Sequence, residues 1–296
     1  MKKLFLVFIV FALASFLNTS CTSSDSETPI ENETPEPLEA QTFLNVSYGN
    51  NSQQIYDIYL PENRSSSKTK VIILVHGGGW TEGDKTDMAN FITLIKQYHP
   101  NHAIVNINYV LATTATPAFP NQFLDVQRVI NKITAEKEEL QILPEFGLIG
   151  TSAGAHISLM YDYVYDTSDA VKFVCDIVGP TNFTDPFYAN NPNFGLLLSL
   201  LVDENSYPAG TNYATTLSPA LQVSGNSSPT ILFYGNEDPL VPLTNGEALQ
   251  DALINLQVTN SFTVYEGGHG DWNEASYVDL QVKLSAFINA HLQISP

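Results

Sequence analysis

Two short runs, Val71-Ile72-Ile73-Leu74-Val75 and Ala103-Ile104-Val105-Asn106-Ile107, are apolar almost throughout and show no alternation of polarity. A strand solvated on one face alternates with period two, whereas a nearly continuous apolar strand is covered on both faces, as in a parallel sheet. Residues 146–149, 171–178, 230–234 and 262–265 read as further strands. Residues 43–48 and 55–60 alternate in polarity, like a half-exposed antiparallel edge. Helical patterns over 87–98, 121–139, 153–163, 244–256 and 275–291 lie between them. Parallel neighbours need crossovers, and these are right-handed. The expected fold class is therefore α/β, a mostly parallel, doubly wound sheet of about eight strands with helices on both faces. Residues 181–228 break the rhythm. They are rich in Asn and Pro, carry the apolar run 196–202, and read as a cap-like insertion.

Four motifs at strand ends carry the chemistry. Gly150-Thr151-Ser152-Ala153-Gly154 follows a strand and precedes a helix, where a sharp turn lifts a serine hydroxyl above the sheet. His76-Gly77-Gly78-Gly79-Trp80 follows the first apolar run, and its glycines let backbone N–H groups converge on an anionic oxygen. Gly235-Asn236-Glu237-Asp238-Pro239 and Gly267-Gly268-His269-Gly270 follow the last two strands. A serine hydroxyl is a poor nucleophile until a base takes its proton, and an imidazole base needs a carboxylate to fix its tautomer. The candidates are Ser152 as nucleophile, His269 as base and Asp238 as acid, with Glu237 competing for the acid role. His156 lies on the helix after Ser152 and reads as a packed, hydrogen-bonded histidine rather than a second base. Trp80 and Trp272 flank two of these loops and offer an aromatic wall to substrate, or simply pack locally. Leu197 and Leu200, in the apolar run of the insertion, either line an acyl pocket or pin the insertion to the core.

These motifs resemble the α/β-hydrolase esterases and lipases. His-Gly-Gly-Gly-Trp with Gly83-Asp84-Lys85, and Gly-Thr-Ser-Ala-Gly-Ala-His, are most similar to the bifunctional feruloyl and acetyl-xylan esterase family. The resemblance runs over roughly residues 45–293 and takes in Phe119-Pro120, Asp125, Ser218-Pro219 and 238–242. It implies the α/β-hydrolase fold, a Ser152–His269–Asp238 triad, and Gly78, Gly79 and Ala153 as oxyanion donors. It implies a carboxylic-ester hydrolase acting on small or carbohydrate-linked (acetyl or feruloyl) esters. Arylformamidases share a similar Ser-Ala-Gly-Ala-His segment, so an amide or formamide substrate is the alternative. A non-catalytic, glycan-binding protein that retains the fold is another. Val110, Ala155 and Thr151 depart from residues common at these places in related branches.

Composition removes other classes. The formal charge is -19 and the sequence pI is near 4.4. Nucleic-acid binding needs basic clusters that displace counterions, so no nucleic-acid partner is expected. No paired-cysteine or His-x-x-x-His spacing points to a metal, and neither a phosphate-binding loop nor a dinucleotide fingerprint is present, so no cofactor is expected.

The N-terminus reads as a targeting segment. Lys2 and Lys3 precede an apolar run over 4–17, too short to span a bilayer comfortably, and Thr19 and Ser20 lead to Cys21. Residues 1–20 resemble a bacterial lipoprotein signal, which implies lipidation of Cys21 and anchoring to a membrane of the bacterial envelope. An ordinary cleaved signal ending near Ser20, with Cys21 incidental, is the alternative. Residues 21–40, acidic and proline-containing, read as an extended tether, and 41–296 as the catalytic domain. With Cys21 lipidated only Cys175 remains, in a strand, where a buried and inert thiol is expected.

Overall fold

The computed structural model describes residues 38–294. The signal, Cys21 and the tether as far as residue 37 lie outside the described residues. Among the described residues eight strands form one sheet: β1 (Gln41–Ser47), β2 (Ile55–Leu60), β3 (Val71–Val75), β4 (Ala103–Ile107), β5 (Phe146–Thr151), β6 (Val171–Ile177), β7 (Thr230–Gly235) and β8 (Asn260–Tyr265). Their order is β1-β2-β4-β3-β5-β6-β7-β8. The pairs β1–β2 and β2–β4 are antiparallel, and every other pair is parallel. The two apolar runs lie side by side, from Val71 opposite Ala103 to Val75 opposite Ile107, and every residue of both is buried.

Alternate side chains of β3 enter opposite halves of the core. Val71, Ile73 and Val75 pack with Phe123, Val126 and Ile133 of α2 (Asn121–Ala135) and Ile157 of α3 (Ala153–Met160). Ile72 and Leu74 pack with Leu94 and Ile95 of α1 (Ala89–Tyr98) and with Leu280 and Leu284 of the last long helix (Glu274–His291). Each fully buried aliphatic side chain contributes about 1.5–3 kcal/mol, so the two-sided cover fixes the strand register.

β1 is the antiparallel edge, but it is exposed almost throughout rather than on alternate residues, and β2 is mostly buried. Asp57 supplies polarity in β2, yet it is buried because Lys85 Nζ pairs with its Oδ2 at 2.7 Å and the Asn45 N–H donates to its Oδ1. Two helices are shorter than their sequence patterns. The α-helix from Asn121 breaks after Ala135 and resumes at Lys137–Leu140, and the one from Ala153 passes after Met160 into a π turn over Tyr161–Tyr165.

The insertion between β6 and β7 contains α4 (Phe194–Leu201). Its buried face, Leu198 and Leu201, joins the core. Elsewhere the insertion is laced down by polar contacts: Ala220 N–H donates to the Thr181 carbonyl, and Phe183 N–H to Ser218 Oγ. Thr181 N–H also donates to the side chain of Asn245, on α5 (Leu243–Asn255). Glu274–His291 is α6.

Candidate active site

Ser152 sits between β5 and α3 with φ 52° and ψ -120°, a region that costs a non-glycine residue about 1–3 kcal/mol. Its N–H donates to the Ile177 carbonyl at 2.7 Å, which ties the strained turn to β6. The flanking glycines allow close approach. A Cβ on Gly150 would lie 2.4 Å from the Gly154 carbonyl oxygen, and one on Gly154 would lie 2.2 Å from that of Val75. Larger residues at either place would push α3 off the sheet and lower the serine.

The ends of β5, β7 and β8 bring Ser152, Asp238 and His269 together. His269 Nε2 lies 2.8 Å from Ser152 Oγ, and His269 Nδ1 lies 2.6 Å from Asp238 Oδ2. The other oxygen of Asp238 accepts the N–H groups of Leu240 (2.8 Å) and Val241 (3.0 Å). Burial pushes the Asp238 carboxyl up, but the hydrogen bonds from His269, Val241 and Leu240 outweigh it and hold the group below its ordinary value. A carboxylate only accepts, so Nδ1 carries the imidazole proton and Nε2 is left to accept from Ser152. Glu237 is exposed and makes no contact with His269, which leaves Asp238 as the acid that the geometry pairs with the imidazole.

The glycine loop after β3 is pinned at both ends. Tyr109 Oη donates to the carbonyls of His76 and Gly77 (3.0 and 3.1 Å) while its ring stacks on His76 at 4.3 Å. Gln122 Nε2 donates to the Trp80 carbonyl at 2.8 Å. At the far end Lys85 N–H donates to Asn108 Oδ1, and Asn108 Nδ2 to Asp84 Oδ2. Gly78 and Gly79 have φ of 109° and 54°, and a Cβ on Gly78 would meet the Glu82 carbonyl oxygen at 2.0 Å. The N–H groups of Gly78, Gly79 and Ala153 make no hydrogen bond within the described residues. Gly78, Gly79, Ala153 and Ser152 line one cavity, so these donors are free to bind an oxygen developing charge beside the hydroxyl.

That cavity holds about 600 Å³ and is walled by Trp80, Phe183, Tyr188, Phe194, Leu197 and Val241, with His269 at its base. Two expectations need correction. Leu200 is exposed and lies outside the cavity lining, because it projects from α4 toward solvent beside Leu196. Trp272 is buried and does not line the cavity: its ring packs on Tyr265 and Tyr277, and its indole N–H donates to the Gly268 carbonyl at 3.1 Å. It braces the His269 loop from behind. Trp80 and Leu197 do line the cavity.

His156 has a structural position that its motif does not reveal. Wholly buried, it presents Nδ1 to the Trp80 indole N–H at 3.3 Å, and its Nε2 lies 2.8 Å from the Leu217 carbonyl of the insertion. Phe183, Phe187, Leu240 and Glu82 also line the cavity, and no motif in the sequence marks them. Cys175 is buried and free, and burial pushes its thiol up, in line with an inert thiol.

A mostly parallel sheet with a serine turn after β5, a carboxylate after β7 and a histidine after β8 defines an α/β-hydrolase. The BD-FAE family model matches residues 56–253, and the chain belongs to that family. Among curated relatives it is similar to the probable carboxylic ester hydrolase LipM of Mycobacterium tuberculosis, at 25% identity over 74% of this chain and 53% of that protein. It is also similar to the kynurenine formamidase of Salmo salar, at 28% identity over 77% of each. The chain spans about half the length of LipM. A solved structure described as a truncated carbohydrate esterase from gut microbiota superposes with a TM-score of 0.63 at 18% identity, covering 84% of this chain and 98% of that one.

Proposed function

We propose that the protein is a serine carboxylic-ester hydrolase acting on small or carbohydrate-linked esters, acetyl or feruloyl, through an acyl-enzyme. One observation carries this reading: the hydrogen-bonded chain Asp238–His269–Ser152 ends on a hydroxyl that faces a cavity with three free N–H donors. Ser152 Oγ attacks the ester carbonyl while His269 Nε2 takes its proton. The tetrahedral oxyanion is held by the Gly78, Gly79 and Ala153 N–H groups. The protonated imidazole, steadied by Asp238, returns the proton to the departing alkoxide. Water, deprotonated by the same nitrogen, then attacks the acyl-Ser152 carbonyl; the C–Oγ bond breaks as His269 returns that proton to Ser152 Oγ, and the carboxylic acid leaves.

The experiment is a panel of acetylated xylan, methyl ferulate, p-nitrophenyl esters and N-formylkynurenine, with Ser152→Ala, His269→Ala, Asp238→Asn and Glu237→Gln beside the wild type. Ser152→Ala and His269→Ala lose about six orders of magnitude in kcat and Asp238→Asn about four, because triad members act as a unit, and Glu237→Gln keeps most activity. Wild-type turnover by folded Ser152→Ala overturns the assignment. The similarity to a kynurenine formamidase over most of its length favours a second reading, a formamidase on the same scaffold, and preference for N-formylkynurenine would decide for it. We further propose that the protein is exported and anchored through lipidated Cys21 to a bacterial envelope membrane, with residues 22–40 as tether.

A further inference from the structure

The mouth of the cavity is more apolar than a water-facing surface of this size requires. Phe187, Leu197 and Leu240 line the cavity while 47%, 54% and 60% exposed, and Leu196 and Leu200 stand beside them on α4 at 65% and 58%. Leu196 and Leu200 are four residues apart and so share one helix face, opposite the buried Leu198 and Leu201. Scattered exposed leucines need no explanation, but a contiguous apolar patch marks an interaction site. This one is continuous with the catalytic cavity, so whatever covers it is delivered to Ser152.

The charge pattern restricts the occupant. No Lys or Arg occurs from residue 173 to 282, a span that includes the insertion, the Asp238 turn and the His269 loop. No Asp, Glu, Lys, Arg or His occurs between Asp185 and Asp203. An anionic surface would find no cation here to pair with and a net negative chain behind. We propose, resting on the ester-hydrolase reading, that α4 and the 239–241 turn form a docking rim that partitions into the surface of an electrically neutral, water-insoluble ester phase. Leu196 and Leu200 enter that phase, and Leu197 marks the passage from it to the nucleophile.

The test uses the full chain with the double substitution Leu196→Gln and Leu200→Gln, two residues outside the catalytic cavity. Turnover of soluble p-nitrophenyl acetate is expected to be unchanged. On tributyrin the wild type should show a rise in rate as the ester passes its solubility limit, and the double variant should lose about tenfold on the emulsion by giving up two partly inserted leucines. Coating the droplets with phosphatidylglycerol should slow the wild type, and phosphatidylcholine should slow it less. Equal rates of variant and wild type on the emulsion overturn the proposal, as does acceleration by phosphatidylglycerol. A wild-type dimer in sedimentation that the double variant breaks into monomers also overturns it, because the patch is then covered by a second copy. Should the folded wild type hydrolyse neither ester, the hydrolase reading fails on its own, and co-flotation of the two proteins with triolein droplets still decides the docking: a wild type that floats no better than the variant refutes it.

Discussion

The indole N–H of Trp80 donates to Nδ1 of His156 at 3.3 Å, which joins the glycine loop to the helix that starts after Ser152. The same imidazole faces the Leu217 carbonyl through Nε2, so it must be neutral with its proton on Nε2. A second proton, on Nδ1, would set two donors against each other.

This geometry has a pH signature. Burial pushes His156 down to about 4, against the upward pull of the Leu217 carbonyl. The unfolded imidazole titrates near its ordinary value of about 6.5, so between those values the unfolded chain binds more protons than the folded one. The stability that His156 contributes is therefore complete above pH 6.5 and is lost as pH falls toward 4, by about 3 kcal/mol in all. Denaturant midpoints of wild type and His156→Gln, measured from pH 8 to 4, should converge on the acid side. A gap that is constant across this range contradicts the assignment.

Gly78 and Gly79 should respond differently to alanine. At Gly78 the Cβ meets a carbonyl oxygen at 2.0 Å, and the loop must move. At Gly79 the Cβ meets nothing within 4 Å, and the cost is only that of a left-handed alanine, about 1–2 kcal/mol. Gly78→Ala is expected to lower kcat by about 100-fold or more, as for loss of an oxyanion donor. Gly79→Ala should stay within about tenfold. Steady-state kinetics on one soluble ester, with melting temperatures alongside, separate the two.

Cys21→Ser should move the protein from the membrane to the soluble fraction with the activity of the domain unchanged. Stable anchoring takes two acyl chains where one is marginal, so loss of the attachment point is visible in fractionation. An unchanged membrane fraction excludes anchoring through Cys21.

How much of this is legible in the sequence depends on whether a feature is local. The parallel strands β3 and β4 are readable to the residue because two-sided burial removes every polar alternation from them. Ser152, Asp238 and His269 are findable because each sits in a short turn directly after a strand, and the sheet order then carries those turns to one place. The walls of the cavity are not readable in this way. Phe183, Phe187 and Leu240 meet only once the insertion and the 239–241 turn have packed, and nothing near them in sequence records that contact. Trp272 shows the complementary failure: nearness to His269 along the chain does not say which side of the loop the indole takes, and Tyr265 draws it inward. The burial of Asp57 depends on Lys85, 28 residues away, and its strand therefore looks half-exposed in isolation.

The contact between His156 and the Leu217 carbonyl bears on how freely this scaffold can exchange parts. Segments inserted between β6 and β7 look like the natural unit for grafting a new specificity, because they begin and end on the sheet. Here the graft would also carry away the carbonyl that faces Nε2 of His156, leaving a buried donor without its acceptor and the Trp80 anchor free to turn. A chimera that swaps residues 181–228 must therefore supply a backbone acceptor at the place of Leu217, or it will alter the glycine loop while appearing to change only the insertion.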